Sequence, residues 1–408
     1  MQLKMIFKIL WLFFVAACVQ ADLLHGIFYD FESIKWSKQG IYGFQAPMSH
    51  SWIVSLKWWL KSDAKAGDTF GLQLPCVYEF TAVQESLILN VGETVYATCN
   101  FVSGRTTADY SELKCTVVTS PQLFVYGVVS FPIVFNAGGS SSEIDTTCAQ
   151  MYREGLNTIH FYDGYLIIST YVMFEATKVD MEGFYPNVRV DETAKIFQAF
   201  LLSDVCEDAY EVKFEFNIFA NSFRSVCPIK FFLASSVNDW GYPKDVKQIN
   251  DDDIEVGNCG EGAAVTLRIT DTDYTPFMEV NLETTKPTIQ TSATGYSFAN
   301  TLTCKDGRTI KHSTVLSYAP YTSISASGHG RAVEFVSTIT EKDISVTHPS
   351  IATYGSTDGT LSAFVLVPIP TITTTITWDS SFTETETSTA EPGGTAVVNI
   401  LVPNPHNK

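Results

Sequence analysis

The chain has 408 residues, 45% of them hydrophobic and 13% aromatic, with 44 acidic against 26 basic side chains and a net charge of −18. That length exceeds one ordinary sandwich and predicts about two to three domains with sizeable cores. The acidity excludes nucleic acid and anionic membrane surfaces as partners, since both repel it.

The first 21 residues read as a secretory leader. Lys4 and Lys8 give a positive start ahead of an apolar run from Ile9 to Val15, extended by Ala16 to Val19. Val19-Gln20-Ala21 offers small or neutral residues for a cut after Ala21. The run falls short of the roughly 20 residues that a membrane span needs, and no second apolar segment of spanning length follows. Removing the leader takes away Lys4, Lys8 and Cys18. It leaves eight cysteines and 24 basic against 44 acidic side chains, a net charge of −20. An even cysteine count in a secreted chain predicts disulfides.

Strands follow. The 28 Phe and 18 Tyr favour them over helices. Runs starting at Ser86, Phe124, Tyr165 and Ala264 are short, β-branched or aromatic, and bounded by turn residues. Asp163-Gly164 between two such runs signals a hairpin, and Asp306-Gly307 signals a second turn. The spacing predicts antiparallel sandwiches. Cys76, Cys99, Cys115 and Cys148 fall in one half, and Cys206, Cys227, Cys259 and Cys304 in the other. Two sets of four allow three pairings each. The split places a first domain over 22–185 and a second over 186–330, parted near Tyr185-Pro186.

Residues 331–408 differ. From Thr371 the chain is rich in Thr and Ser with weak apolar periodicity, which predicts an extended, O-glycosylated spacer. Ala396 to Val402 is a lone strand-like run. No Asn-x-Ser/Thr sequon occurs, and the last residues lack the hydrophobic tail of a lipid-anchor signal. The sequence therefore reads either as a fragment of a longer protein or as a short, released form.

Chemistry-bearing motifs are sparse. The seven histidines form no HExxH or HxH arrangement, so no metal site is predicted. No GxSxG elbow occurs. Gly138-Gly-Ser-Ser-Ser142 lacks a P-loop lysine and reads as a flexible loop. Asn250-Asp-Asp-Asp253 lacks the alternation and central glycine of a calcium loop and reads as solvated. No cofactor is expected, and the chain is read as a non-enzyme.

Several segments resemble the fungal agglutinin-like sequence (Als) adhesins, in the family's order and over nearly the whole chain. They are Gly26–Ser37, Ala66–Val77, Tyr96–Phe101, Leu113–Val117, Phe131–Ser142, Val237–Pro243 and Pro368–Thr377. The yeast mating agglutinin looks similar in architecture. The resemblance implies an all-β chain of two tandem immunoglobulin-like β-sandwich domains followed by a Thr-rich extended or β segment. It also implies the pairings Cys76–Cys148, Cys99–Cys115, Cys206–Cys304 and Cys227–Cys259, each stabilising by roughly 2–4 kcal/mol.

The resemblance further implies a cell-wall adhesin in which a groove between the two domains takes the C-terminus of a protein or peptide ligand by main-chain pairing. Tyr42 and Phe44 match two aromatic lining positions. Arg189 and Val190 match the interdomain stretch, Val188 narrows the opening, and Tyr318 stands at or beside an aromatic position. The family's carboxylate-capturing lysine position holds Glu79. A lone Glu79 about 4 Å from a bound carboxylate repels it by roughly 4 kcal/mol at an effective dielectric near 20, almost a thousandfold in affinity. Glu79 is therefore neutral or paired with a base, or the groove takes other ligands, such as an amine. This departure fits a mating-type agglutinin with one dedicated partner as the alternative, with a non-binding wall protein as a third reading. Arg331–Thr340 matches a self-associating β segment, weakened here by Glu334, whose charge guards the window.

Overall fold

Strand formation follows the alternation of side chains between core and water. In Tyr110–Val117 the residues Ser111, Leu113, Cys115 and Val117 are buried while Lys114 and Thr116 are exposed, the period of two that a half-buried strand imposes. The computed structural model describes residues 21–38, 43–177, 184–191, 196–218, 223–258, 262–284, 294–318, 324–333, 335–340, 350–355, 361–367, 371–378, 382–388 and 396–403. The architecture is all-β.

The first body begins with β1 (Phe28–Trp36), β2 (Trp52–Leu60), β3 (Thr69–Pro75), β4 (Val77–Phe80) and β5 (Ser86–Val91). It continues with β6 (Thr94–Val102), β7 (Tyr110–Val117) and β8 (Phe124–Phe135). A short helix, α1 (Glu143–Ala149), precedes the hairpin β9 (Gly155–Asp163) and β10 (Leu166–Phe174). Ser142 caps α1 by accepting the Asp145 N–H, and Glu143 and Asp145 lie in its first turn, where a helix favours negative charge. The hairpin turns at Gly164 with φ +62°, as Asp163-Gly164 foretold. Strand order is β1-β2-β8-β21-β5-β6-β7-β3-β9-β10, with β4 on β8 and β21 (Ser327–Val333) contributed from far along the chain. The two ends of this path, β1 and β10, lie beside one another, and Phe31 of β1 meets Phe161 of the adjoining β9 at 5.1 Å, so the sheet curls around one core.

The second body comprises β11 (Phe184–Asp191), β12 (Ile196–Ser203), β13 (Tyr210–Ile218), β14 (Phe223–Ala234) and β15 (Lys247–Gln248). Next come β16 (Ile254–Asn258), β17 (Gly262–Ile269), β18 (Thr275–Thr284), β19 (Thr294–Cys304) and β20 (Thr309–Tyr318). They form two five-stranded sheets, β11-β12-β18-β14-β15 and β16-β17-β13-β19-β20. Leu201, Phe231 and Met278 from one sheet and Phe214, Leu267 and Phe298 from the other share one core, which makes this body a sandwich. The turn at Gly307, φ +87°, joins β19 to β20 as Asp306-Gly307 implied.

The chain then returns to the first body. The strand β21 (Ser327–Val333) lies antiparallel to β8 and touches β5. Arg331 to Val333, the start of the expected self-associating segment, thus pair with Tyr126 to Phe124. Its remainder, β22 (Phe335–Thr340), pairs in parallel with β24 (Leu361–Val367), beside β23 (Ser350–Gly355). Glu334 lies outside the described residues.

In the Thr-rich tail, β25 (Thr371–Trp378) and β26 (Glu384–Ser388) flank β27 (Ala396–Pro403). The run expected to stand alone is therefore a central strand. Its apolar Val397, Val398, Ile400 and Leu401 give the flanking Thr-rich strands a partner. The bridges Cys76–Cys148, Cys99–Cys115 and Cys206–Cys304 are formed. Cys227–Cys259 involves side chains outside the described residues. Among the described residues no helix is long and apolar enough to cross a membrane.

Candidate functional site

The two bodies meet through a loop of the second that is rooted in the core of the first. Trp240, between β14 and β15, is fully buried and meets Phe174 edge-on at 6.1 Å, and its Nε1 donates to the Glu175 carbonyl at 2.9 Å. Asn238 holds the loop's shape. Its Oδ1 accepts the N–H groups of Trp240 and Tyr242, while its Nδ2 donates to the carbonyls of Ala137 and Ala149 at 2.8 and 3.1 Å. Every polar group of a buried loop needs such a partner.

Charge reinforces the joint. Arg189, on β11, reaches across to Asp145 on α1. Its Nη2 donates to Oδ2 at 2.6 Å and its Nη1 to Oδ1 at 3.1 Å, with a further bond from Nη1 to the Gly138 carbonyl at 3.1 Å. Two parallel bonds between guanidinium and carboxylate fix orientation as well as charge. The guanidinium lies 4.4 Å from the Tyr78 ring centroid, a cation–π contact. Asp145 also accepts from Asn136 Nδ2 at 2.8 Å and from the Ser140 hydroxyl. Burial alone would raise the Asp145 pKa. The Arg189 charge and these donors outweigh it and hold the carboxyl below the usual range. Nearby, Glu279 of β18 is buried and its Oε2 accepts the N–H and the hydroxyl of Ser141, both at 2.8 Å. Asn187 Nδ2 donates to the Tyr242 hydroxyl.

Gly138 to Ser142 is therefore a packed turn, not the flexible loop expected from its composition. Gly138 and Gly139 adopt φ of +102° and +131°, and a Cβ on Gly138 would lie 2.9 Å from both Ala149 and Tyr242. The glycines are there because two bodies close on the backbone at that point.

Of the residues proposed from sequence, Arg189 stacks on Tyr78, the chain neighbour of Glu79 in β4. Glu79 is 2% exposed on β4, and its Oε2 accepts from Arg105 Nε at 3.1 Å. The Arg105 N–H in turn donates to the Tyr78 carbonyl at 2.8 Å. Of the options open for Glu79, the structure contains the paired one. Phe44 is 7% exposed and belongs to the first core. Val188 and Val190 pair through their backbones with Ala199 and Phe197, and Tyr318 ends β20 opposite Thr294. The side chains of these three, and all of Tyr42, lie outside the described residues.

Sequence reasoning did not assign roles to Tyr78, Arg105, Asp145, Glu279 or Trp240. The signals that existed were the capping pattern Ser142-x-x-Asp145 and the aromatic-rich Val237–Pro243 stretch. Both mark local structure and neither identifies a partner in the other body. Among the described residues no three metal-ligating side chains converge.

The profile of the agglutinin-like protein N-terminal domain matches residues 57–304. Agglutinin-like protein 3 of Candida albicans is 30% identical over 392 residues, covering 94% of this chain and 34% of that protein. Agglutinin-like proteins 5 and 1 of the same organism are each 30% identical over 96% of this chain, covering 29% and 31% of theirs. The chain thus spans about a third of the length of the curated relatives it matches. Among solved structures, the collagen-binding domain of the Erysipelothrix rhusiopathiae surface protein RspB is 13% identical with a TM-score of 0.31, over 76% of this chain and 99% of that one.

Proposed function

The chain belongs to the agglutinin-like family, and on that premise we propose that it is a secreted cell-surface adhesin that binds protein or peptide ligands where its two bodies meet. In this reading 22–185 and 186–330 are the two binding domains, and the Thr-rich segment holds them away from the wall. The observation that carries the proposal is the pairing of Glu79 with Arg105 beside the Tyr78–Arg189 stack. Arg189 spans the joint between the two bodies, and Glu79 follows Tyr78 directly in β4. A preformed joint loses little freedom when a ligand docks.

The pair also changes the ligand chemistry expected there. Glu79 and Arg105 together carry no net charge, so the repulsion calculated for a lone Glu79 is offset, but a lysine's net attraction for a carboxylate is absent as well. Peptides should therefore bind with little preference for a free over an amidated C-terminus. Glu79→Lys should introduce that preference, by tenfold or more, in a titration of both peptide forms against the two-domain protein. Binding by neither protein would sink the peptide-groove reading. The alternative, a mating-type agglutinin with one partner, is favoured by the same replacement at Glu79. A peptide array separates the two, since the broad adhesin gives many hits and the dedicated agglutinin few.

A further inference from the structure

Asp22 to Ile27 form a strap that leads into β1. Leu23 bridges Thr69 in parallel, the Leu24 N–H donates to the Thr69 carbonyl at 2.7 Å, and the Thr69 N–H donates to the Asp22 carbonyl at 2.9 Å. At the head of the strap, the Asp22 nitrogen donates to Asp68 Oδ1 at 3.0 Å. Asp68 is 2% exposed, and its Oδ2 accepts the Lys65 N–H at 2.7 Å. Among the described residues no cationic side chain lies within ion-pair distance of it.

The leader reading supplies the missing cation. A cut between Ala21 and Asp22 turns the nitrogen that already faces Asp68 from an amide into an α-ammonium. We infer that Asp68 is the receptor for the α-ammonium of the processed chain, so that removal of the leader completes an ion pair that the unprocessed chain cannot make. The ligand of this site is the protein's own new N-terminus. Other charges face the same open cavity: the Asp22 side chain and Asp63 favour the cation, Lys65 opposes it, and Ser120 and Gln122 are neutral. Any residue kept ahead of Asp22 restores the amide and abolishes the charge at that nitrogen.

The inference rests on the cut after Ala21, which is tested first. The full chain is secreted from a eukaryotic host, and its first residue is read by mass spectrometry. A start at any residue other than Asp22 overturns the inference. The α-amine is then titrated by NMR after isotopic labelling. The expected midpoint lies at least one unit above the ordinary range of about 7.7–8.0, equivalent to tenfold, about 1.4 kcal/mol, in favour of the folded state. A midpoint in the ordinary range overturns it. Asp68→Asn is then compared in the processed chain and in a chain secreted with Gly-Ser retained ahead of Asp22. The substitution should reduce the folding equilibrium at pH 6 at least tenfold more in the processed form. The excess should vanish as the pH rises through the amine's midpoint, because a raised amine pKa stabilises only while the amine is protonated. Equal losses in both forms overturn the inference. Should Asp68→Asn fail to fold, the wild-type titration still decides.

Discussion

At the residue scale, the joint depends on charges whose surroundings leave them one stable arrangement. Arg189 meets Asp145 with both N–H arms and stacks on Tyr78, while Asp145 is wholly buried. Arg189→Met would strand that carboxylate, a change that typically costs about 3–5 kcal/mol. We expect that loss in chemical denaturation, and a smaller one when Asp145→Asn is added, because the stranded charge is then gone. Because the folded Asp145 pKa is depressed, the pair's contribution is present above the unfolded carboxylate range and disappears as pH falls through the folded value. Asp163 behaves in the opposite sense. It accepts the N–H groups of Gly26 and Phe28 at 2.9 and 2.8 Å, yet burial pushes its pKa up to about 6. Between the unfolded value near 4 and that midpoint, the folded state holds the proton more tightly, so stability falls as pH rises. The loss through this group is roughly 3 kcal/mol, complete above about pH 6. The stability of wild type relative to Asp163→Asn should therefore drop by that amount between pH 4 and 7, and a flat difference would refute the assignment.

At the element scale, the loop Val237–Pro243 shows how little of the joint could be read in advance. Its Trp-Gly-Tyr core stood out in the sequence, but nothing local says that Trp240 enters the hydrophobic core of the other body. Trp240→Ala should cost about 3–5 kcal/mol, the loss typical for a large buried aromatic. It should also split a single calorimetric transition into two, since the loop is what ties the bodies together. One undivided transition in that variant would show that the charged contacts alone couple them. Strands such as β5 and β17 were legible because each carries its own alternation or β-branched run between turns. β21 was not. Its Ser-Gly-His-Gly start has the composition of a turn, and it is a strand because Gly330 lets it close on β8. A Cβ there would sit 2.4 Å from the Tyr126 carbonyl and 2.8 Å from Trp58. Contacts made across more than two hundred residues of chain leave no periodic trace in the sequence.

At the scale of the whole molecule, the division of cysteines into two groups of four was legible because a bridge must join residues that fold near each other. The three bridges formed respect it. The closing of β1 towards β10 and the identity of the base that pairs with Glu79 were not legible, since both depend on where distant residues end up. Arg105 sits on a loop 26 residues after Glu79, and its charge reaches that carboxylate only through the folded backbone. The cancellation is local, however, and the chain as a whole carries −18, or −20 once the leader is removed. A field of that sign concentrates cationic ligands and repels anionic ones over distances set by salt, about 8–10 Å at physiological strength. A basic peptide should therefore associate faster than an acidic one of equal length, and raising the salt concentration should slow the first and speed the second. Dissociation should change little if contact is made at the neutral Tyr78 joint, because the paired charges there are already satisfied. Stopped-flow measurements at two salt concentrations read both rates. A dissociation rate that rises steeply with salt would place the ligand on the acidic surface outside the joint.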